Sequence, residues 1–178
     1  MTRAMRLKKA FSRKWRFGVR RELLVYNIVN MYLPRDFIAL LTGIGSGVAE
    51  YIEESYSNPL NAFDITVFDY ELKPVAFLEI TGIRSTSDYD RGKGLCIGSW
   101  KVWKAEKFGV QDKTWYIHVL DDRISLRFIP YHTLKKHAVF HTLNEGHGVK
   151  GEFYCCDQSR WGSIKDFLRW LSTRRVVR

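Results

Sequence analysis

Hydrophobic residues recur at helical spacing in several parts of the chain. In residues 20–33, Leu24, Ile28 and Met31 follow one another at intervals of three or four positions, and Pro34 closes the segment. This spacing places the three side chains on one helix face, and proline cannot continue a helix. The same reasoning predicts further helices over residues 48–56, 96–108, 131–138 and 164–171.

Short runs rich in β-branched and aromatic residues predict strands between these helices. They cover residues 63–68, 75–81, 115–120, 125–129 and 152–156. The connection between the first two is short and polar, so we expect these strands to form a hairpin. The apolar run 37–41 is too short to assign to a helix or a strand, and residues 146–151 are predicted to be a flexible connection. Alternating strands and helices predict an α/β (α+β) fold with one mixed sheet flanked by helices.

Basic residues are concentrated at the beginning of the chain. The 178 residues carry a net charge of +10, and residues 1–21 hold nine basic residues and no acidic one. We therefore predict a basic N-terminal helical arm, residues 1–21, and a single domain, residues 22–178. Such a charge favours a polyanionic partner, above all DNA. The predicted nucleic-acid contacts in and beside the arm are Arg13, Lys14, Arg16, Arg20 and Arg21.

Two other interpretations of the arm stay open at this point, a solvated tail and a helix that lies on a membrane surface. Because no apolar run is long enough to span a bilayer, we expect no membrane partner. Three cysteines, Cys96, Cys155 and Cys156, form no recognisable disulfide framework. This usage predicts no disulfide and a reducing compartment, the cytoplasm of a cell or of a virus's host.

Two carboxylates on the predicted hairpin are the strongest chemical signal. Asp64 stands at the start of one strand, and Glu79 lies among apolar residues, including Leu78 and Ile80, in the next. Burying an unpaired carboxylate is costly, so Glu79 needs a partner. The hairpin can bring both groups to one end of the sheet, where they would bind a hard divalent cation such as Mg²⁺. The alternative is a surface pair in which Glu79 faces solvent.

The sequence Asp64…Glu79-Ile80-Thr81 resembles the PD-(D/E)xK nuclease superfamily, which includes type II restriction endonucleases and archaeal Holliday junction resolvases. The resemblance covers roughly residues 45–135 and implies a restriction-endonuclease-like core. It also implies an endonuclease, dependent on Mg²⁺ or Mn²⁺, that hydrolyses DNA phosphodiester bonds, including those of branched or junction DNA. The implied metal ligands are Asp64, Glu79 and the backbone carbonyl of Ile80, with Glu50 orienting a water molecule.

One residue departs from the family pattern. The lysine that the family carries two residues after the glutamate is Thr81 here. A threonine hydroxyl can hold a water molecule but has no positive charge. We expect Lys101 to supply that charge from the helix 96–108. Lys104, Arg84 and Lys93 are alternative cations and further candidate contacts with nucleic acid.

The departure leaves a second hypothesis open. The protein could be a weak or inactive nuclease-fold protein that binds DNA. The helical acid is also open, because Glu22 in residues 20–33 is an alternative to Glu50.

Two further expectations concern surfaces. Trp100 and Trp103 alternate with lysines and could stack on bases, or they could belong to the core. An enzyme that cuts both strands of DNA needs two active sites, so we expect a homodimer. The sequence favours no small-molecule cofactor, and an archaeon or its virus is the expected source.

Overall fold

A computed structural model of the chain describes the backbone of residues 3–43, 57–83, 94–146 and 149–174, and the side chains of 16–43, 57–83, 94–143 and 150–174. The predicted helix 48–56 lies outside these residues. In chain order the elements are α1 (Arg3–Tyr32), β1 (Phe37–Leu41), α2 (Pro59–Ala62), β2 (Ile65–Asp69), β3 (Pro74–Ile83), β4 (Leu95–Gly98), α3 (Ser99–Lys107), β5 (Thr114–Leu120), β6 (Ser125–Pro130), α4 (Tyr131–His137), β7 (Val139–Gly146), β8 (Val149–Cys156) and α5 (Ile164–Ser172).

Five strands form a mixed sheet in the order β1-β2-β3-β5-β6. The strands β2 and β3 pair antiparallel, as the short connection between them predicts. The pair β3–β5 is parallel, because the chain crosses from one strand to the other through β4 and α3. The structure thus confirms the mixed sheet flanked by helices, and it shows that residues 37–41 are an edge strand.

Two apolar clusters cover the two faces of this sheet. On one face, Val25 of α1 and Phe167 of α5 pack against Leu78 and Ile117. On the other face, residues of α3 and α4 pack with Phe77 and Tyr116. The helix α5 begins at a capping box in which Ser163 and Asp166 satisfy each other's backbone N–H groups. The helices are therefore fixed to the sheet by their apolar faces, and α3 is held beside the end of β3.

The first helix is longer than the periodicity predicts. It is continuous from Arg3 to Tyr32, so it includes the segment that we predicted as an arm. No proline interrupts this stretch, and its basic side chains have good helix propensity. The structure describes no helix that is both long enough and apolar enough to cross a membrane.

A second sheet, in the order β4-β8-β7, corrects the prediction for two segments. Residues 96–98 form part of β4 and not of a helix, because they pair antiparallel with residues 153–155. The described part of residues 146–151 is not a flexible connection, since Gly146 ends β7 and residues 149–151 begin β8, which pairs antiparallel with it. The strand β4 depends on a partner that is distant in sequence, and both segments carry only weak local signals.

A disulfide joins the second sheet, contrary to our expectation from the sequence. Cys96 of β4 and Cys155 of β8 are direct partners in the strand register, and they are bonded to each other across 59 residues of sequence. Cys156 is free and buried. Adjacent residues of a strand point to opposite faces, which explains why only one of the two neighbours reaches Cys96. Cysteine usage therefore no longer argues for a reducing compartment.

Candidate active site

The hairpin β2–β3 brings the two predicted carboxylates together. Ile65 pairs with Leu78, and this register puts Asp64, one residue before β2, across from Glu79. The Oδ2 atom of Asp64 accepts a hydrogen bond of 2.6 Å from the backbone N–H of Ile80. Glu79 is 1% exposed, so the alternative of a solvent-facing surface pair is wrong.

Lys101 joins these groups from α3. Its Nζ atom donates hydrogen bonds to Oε1 of Glu79 and, at 2.7 Å, to the carbonyl oxygen of Ile80. The same atom lies 3.9 Å from Oδ2 of Asp64. The helix α3 therefore places an ammonium group beside Glu79, and Lys101 is the residue that we expected to supply the charge of the missing lysine. Thr81 lies two residues beyond Glu79 on β3, half-buried.

A second ammonium group stabilises Glu79. Nζ of Lys104 lies 3.3 Å from Oε2 of Glu79 and donates a hydrogen bond of 2.8 Å to the carbonyl oxygen of Ala62. Lys104 is only 4% exposed, so it occupies an interior position and not the exposed one that a phosphate contact needs. Lysines three positions apart share a helix face, which is the sequence signal for this pair. Two cations explain how a glutamate can be this deeply buried.

Burial and neighbouring charges shift the pKa values in the site. The pKa of the Asp64 carboxyl is raised from 3.8 to about 8, first by burial and then by the charge of Glu79, while Lys101 opposes the shift. Burial lowers the pKa of Lys101, but Glu79 and Asp64 raise it further, so it ends above its ordinary value. Near neutral pH, Lys101 is therefore charged and a large fraction of Asp64 is protonated in the metal-free protein.

The helical acid that acts on Asp64 is Glu22 of α1, whose charge contributes to the raised pKa of that carboxyl. Glu50, which we favoured from the sequence, lies outside the described residues. Next to Glu22, the guanidinium of Arg21 makes two hydrogen bonds with Asp121, of 2.9 and 2.7 Å. This ion pair connects α1, the helix that carries Glu22, to the end of β5.

A glycine makes room for that ion pair. A Cβ atom at Gly82 would lie 2.4 Å from the carbonyl oxygen of Val119 and 2.7 Å from Nε of Arg21. Both distances are far below van der Waals contact, so any larger residue would displace Arg21 or the strand. The guanidinium of Arg21 is consequently engaged in packing α1 against the end of β5, and the structure gives no support for a contact between Arg21 and nucleic acid.

The other predicted nucleic-acid contacts are distributed differently. Arg16 and Arg20 lie exposed on α1. Arg13 and Lys14 belong to the same helix, but their side chains are outside the described residues, as are Arg84 and Lys93 entirely. The structure thus leaves Arg16 and Arg20 as the described basic residues of α1 that face solvent.

Sequence reasoning missed Tyr116 as a neighbour of the carboxylates. It is the register partner of Glu79 in the parallel pair β3–β5, and its side chain is fully buried. Burial, followed by the charge of Glu79, raises the pKa of its phenol, so the group stays neutral. The parallel register that brings it to Glu79 is a long-range feature that no local motif encodes.

Oxygen atoms from three groups of the site lie around one nitrogen atom. Oε1 of Glu79 and the carbonyl of Ile80 accept hydrogen bonds from one nitrogen atom, Nζ of Lys101, and a carboxylate oxygen of Asp64 lies nearby. These three groups are the oxygen ligands expected for Mg²⁺ or Mn²⁺, so the residues fit such an ion. Within the described ranges, no cluster of three or more His, Cys, Asp or Glu side chains is present.

Comparison of the sequence with known families identifies the class of protein as a nuclease. Residues 18–167 match the sequence profile of the family described as Viral/Archaeal nuclease, and the chain belongs to that family. This membership confirms the resemblance on which the fold and the nuclease class were predicted. No curated protein matches the chain significantly.

Two solved structures are similar to the chain to different degrees. A nuclease from a fusellovirus has a TM-score of 0.59 and 19% sequence identity, and the match covers 89% of this chain and 96% of that one. Hjc, a Holliday junction resolvase from the archaeal hyperthermophile Archaeoglobus fulgidus, has a TM-score of 0.43 and 17% identity, over 84% of this chain and 97% of the resolvase. The first of these confirms the predicted architecture.

Proposed function

We propose that the protein is an endonuclease that hydrolyses DNA phosphodiester bonds with Mg²⁺ or Mn²⁺. The observation that carries the proposal is the convergence of oxygen atoms from Glu79, Ile80 and Asp64 on one cationic nitrogen. A site that already holds a positive charge on oxygen ligands is suited to a divalent cation. The family supports hydrolysis of nucleic acid as the reaction.

In this proposal Asp64, Glu79 and the carbonyl of Ile80 hold the cation. When bound, such an ion lowers the pKa of a water molecule and neutralises charge that develops on the phosphodiester. Hydrogen bonding to the backbone N–H of Ile80 fixes the Asp64 carboxylate in one orientation. Lys104 keeps Glu79 in place from the interior, so both carboxylates are positioned before substrate arrives.

Lys101 bears on the alternative hypothesis of an inactive DNA-binding protein. That hypothesis rested on Thr81, which carries no charge where the family has a lysine. Because α3 delivers an ammonium group to Glu79 and Ile80, we propose that Lys101 takes over the contacts with water and phosphate oxygens. Its flexible stem allows the three N–H donors to turn from the carboxylate toward a bound phosphate.

Further parts of the proposal concern substrate and assembly. We propose DNA as the polyanion, with branched or junction forms among its substrates, and a role in recombination or viral replication.

A homodimer would present two sites to two strands. The exposed apolar residues Ile38 and Leu40 on the edge strand β1 supply one surface for it. Action on DNA would place the protein in the cytoplasm of a cell or of a virus's host.

A cleavage assay tests the reaction directly. Labelled duplex, flap and four-way-junction DNA are incubated with Mg²⁺, and the variants Asp64→Asn and Glu79→Gln are compared with the wild type. We expect each variant to cleave DNA at least about 100-fold more slowly than the wild type, because each substitution removes a charged ligand. Glu71→Gln is the matched control, since Glu71 is an exposed carboxylate outside the site. Cleavage that survives both substitutions, or a wild type that never cleaves, would contradict the proposal.

A further inference from the structure

The helix α3 exposes two tryptophans beside the active site. Trp100 is 50% exposed and Trp103 is 53% exposed, so the alternative that both belong to the core is wrong. They are three positions apart and share one helix side. Val102 and Ala105 are buried in the apolar cluster that supports the sheet, and Lys101 and Lys104 reach Glu79. The helix thus has three faces. One packs in the core, one carries the two lysines that reach Glu79, and the third, the aromatic face, is formed by Trp100 and Trp103.

Trp100 is fixed against the two lysines of the site. Nζ of Lys101 lies 4.8 Å from the centroid of its ring, and Nζ of Lys104 lies 5.1 Å from it. These distances are within the range of cation–π attraction. A Cβ atom at Gly98 would lie 2.7 Å from Nε1 of Trp100, so the absence of a side chain there lets the indole fold back over the start of the helix. The ring is therefore held next to the candidate cation position.

Positive charge continues along the aromatic face. Nζ of Lys107 lies 5.1 Å from the ring centroid of Trp103 and 5.2 Å from that of Phe108. Aromatic rings interleaved with ammonium groups are complementary to a nucleotide, because the ring stacks on the base while the ammonium contacts the phosphate. A purely apolar protein partner would instead bury these lysines without a counter-charge.

We propose that Trp100 and Trp103 form a stacking platform for unpaired bases adjacent to the phosphate that is cut. The inference rests on the proposed function and names its substrate class, DNA that has a single-stranded portion beside the cleavage point. Bases within a duplex have both faces covered by their neighbours, so they cannot stack on an indole. Flaps, frayed ends and the open centres of junctions provide such bases, whereas continuous duplex does not.

Binding measurements without metal test the platform, because EDTA prevents cleavage. A fluorescein-labelled DNA hairpin with a single-stranded tail is compared with the same hairpin made blunt, using fluorescence anisotropy. We expect Trp100→Ala to weaken binding of the tailed hairpin about tenfold and to leave the blunt hairpin within about twofold. Trp100→Phe, which keeps a ring, should retain most of the affinity. The tailed hairpin should also quench the tryptophan emission of the wild type more than that of Trp100→Phe.

Three comparisons make the outcome decisive. Tyr70→Ala removes an exposed aromatic ring outside the site and should affect neither DNA. Equal affinities of Trp100→Ala and wild type for the tailed hairpin, or equal losses for both hairpins, would overturn the platform. A change of oligomeric state in Trp100→Ala without DNA, measured by sedimentation velocity, would identify the surface as a protein interface instead.

The proposed nuclease activity and the proposed platform are tested by different results. Cleavage in Mg²⁺ without any preference for the tail would leave the nuclease proposal intact and overturn the platform. A Trp100-dependent preference for the tail in a protein that never cleaves would support the platform and contradict the nuclease proposal. Circular dichroism melting of Trp100→Ala verifies that the exposed substitution leaves the fold unchanged.

Discussion

At the scale of single residues, Glu79 organises the site. Its carboxylate is almost completely buried between the ammonium groups of Lys101 and Lys104. Removing one partner of a buried ion pair is strongly destabilising, because the remaining charge is left without compensation. The two lysines are not equivalent, however. Lys104 also donates to the carbonyl of Ala62 in the interior, whereas Lys101 lies among the proposed metal ligands.

The position of Lys101 predicts competition with a divalent cation. Its Nζ atom takes the oxygen contacts that Mg²⁺ needs, so Lys101→Met should raise the affinity for Mg²⁺ about tenfold while it reduces cleavage. Isothermal titration calorimetry with Mg²⁺ measures the affinity, and the rise of Tm with Mg²⁺ gives an independent value. Lys107→Met, on the same helix but exposed, is the matched control. An unchanged or weaker affinity in Lys101→Met would contradict the competition.

The raised pKa of Asp64 predicts a pH-dependent effect on stability. Its pKa is about 8 in the folded protein and 3.8 ordinarily, so the protonated carboxyl favours the folded state. That stabilisation is complete below about pH 4 and is lost as the pH rises toward about 8. Asp64→Asn imitates the protonated form. We expect it to be about 2 kcal/mol more stable than the wild type near pH 9, and equal to it near pH 4.

Urea unfolding at both pH values measures this difference. Glu152→Gln, at an exposed carboxylate, serves as the control and should show no pH-dependent gain. A gain in Asp64→Asn that is the same at both pH values would mean that the carboxyl titrates in the same range in the folded and unfolded protein.

At the scale of elements, local sequence patterns predicted the helices and strands whose formation depends on local interactions. The strands β5 and β6 and the helix α5 lie within a residue or two of their predicted bounds, because each has a strong period or clear end signals. The strands β4 and β7 were not predicted, since their stability comes from pairing with β8. The disulfide depends on the same pairing, so it was hidden for the same reason.

The disulfide between β4 and β8 should contribute substantially to stability. It closes 59 residues of sequence, and chain entropy predicts a contribution of about 4 kcal/mol, with about 2 kcal/mol as a lower value. The double variant Cys96→Ser/Cys155→Ser should lose this amount in urea unfolding. Adding dithiothreitol should destabilise the wild type and leave the double variant unchanged. A wild type that is insensitive to the reductant, with a double variant of equal stability, would show that the bond is absent in solution.

At the scale of the whole molecule, the candidate site is assembled from distant parts of the sequence. The hairpin β2–β3 supplies Asp64 and Glu79, and this part was predictable because it is local. Lys101 comes from α3, 22 residues after Glu79, and the helix was predicted without its geometry. Glu22 comes from α1, and the ion pair of Arg21 with Asp121, which are 100 residues apart, connects that helix to the end of β5. Side chains that act together across such distances are specified by packing and not by a local motif.

The distribution of charge over the molecule predicts how DNA binding responds to salt. Nine basic residues precede Glu22, and Arg16 and Arg20 are exposed on α1. If each neutralises one phosphate, the double variant Arg16→Gln/Arg20→Gln should reduce the slope of log K against log salt by about 1.8 for duplex DNA. Fluorescence anisotropy over a series of KCl concentrations gives the slope.

The control for this prediction keeps the change of net charge and alters its position. Arg160→Gln/Lys165→Gln removes two exposed positive charges that lie outside α1. Counterion release depends on direct phosphate contacts, so this pair should leave the slope unchanged if α1 follows the DNA backbone. Equal slopes for both double variants would mean that the basic helix acts only through the total charge of the protein, as a solvated tail would. A reduction confined to the Arg16/Arg20 pair would place the DNA along α1.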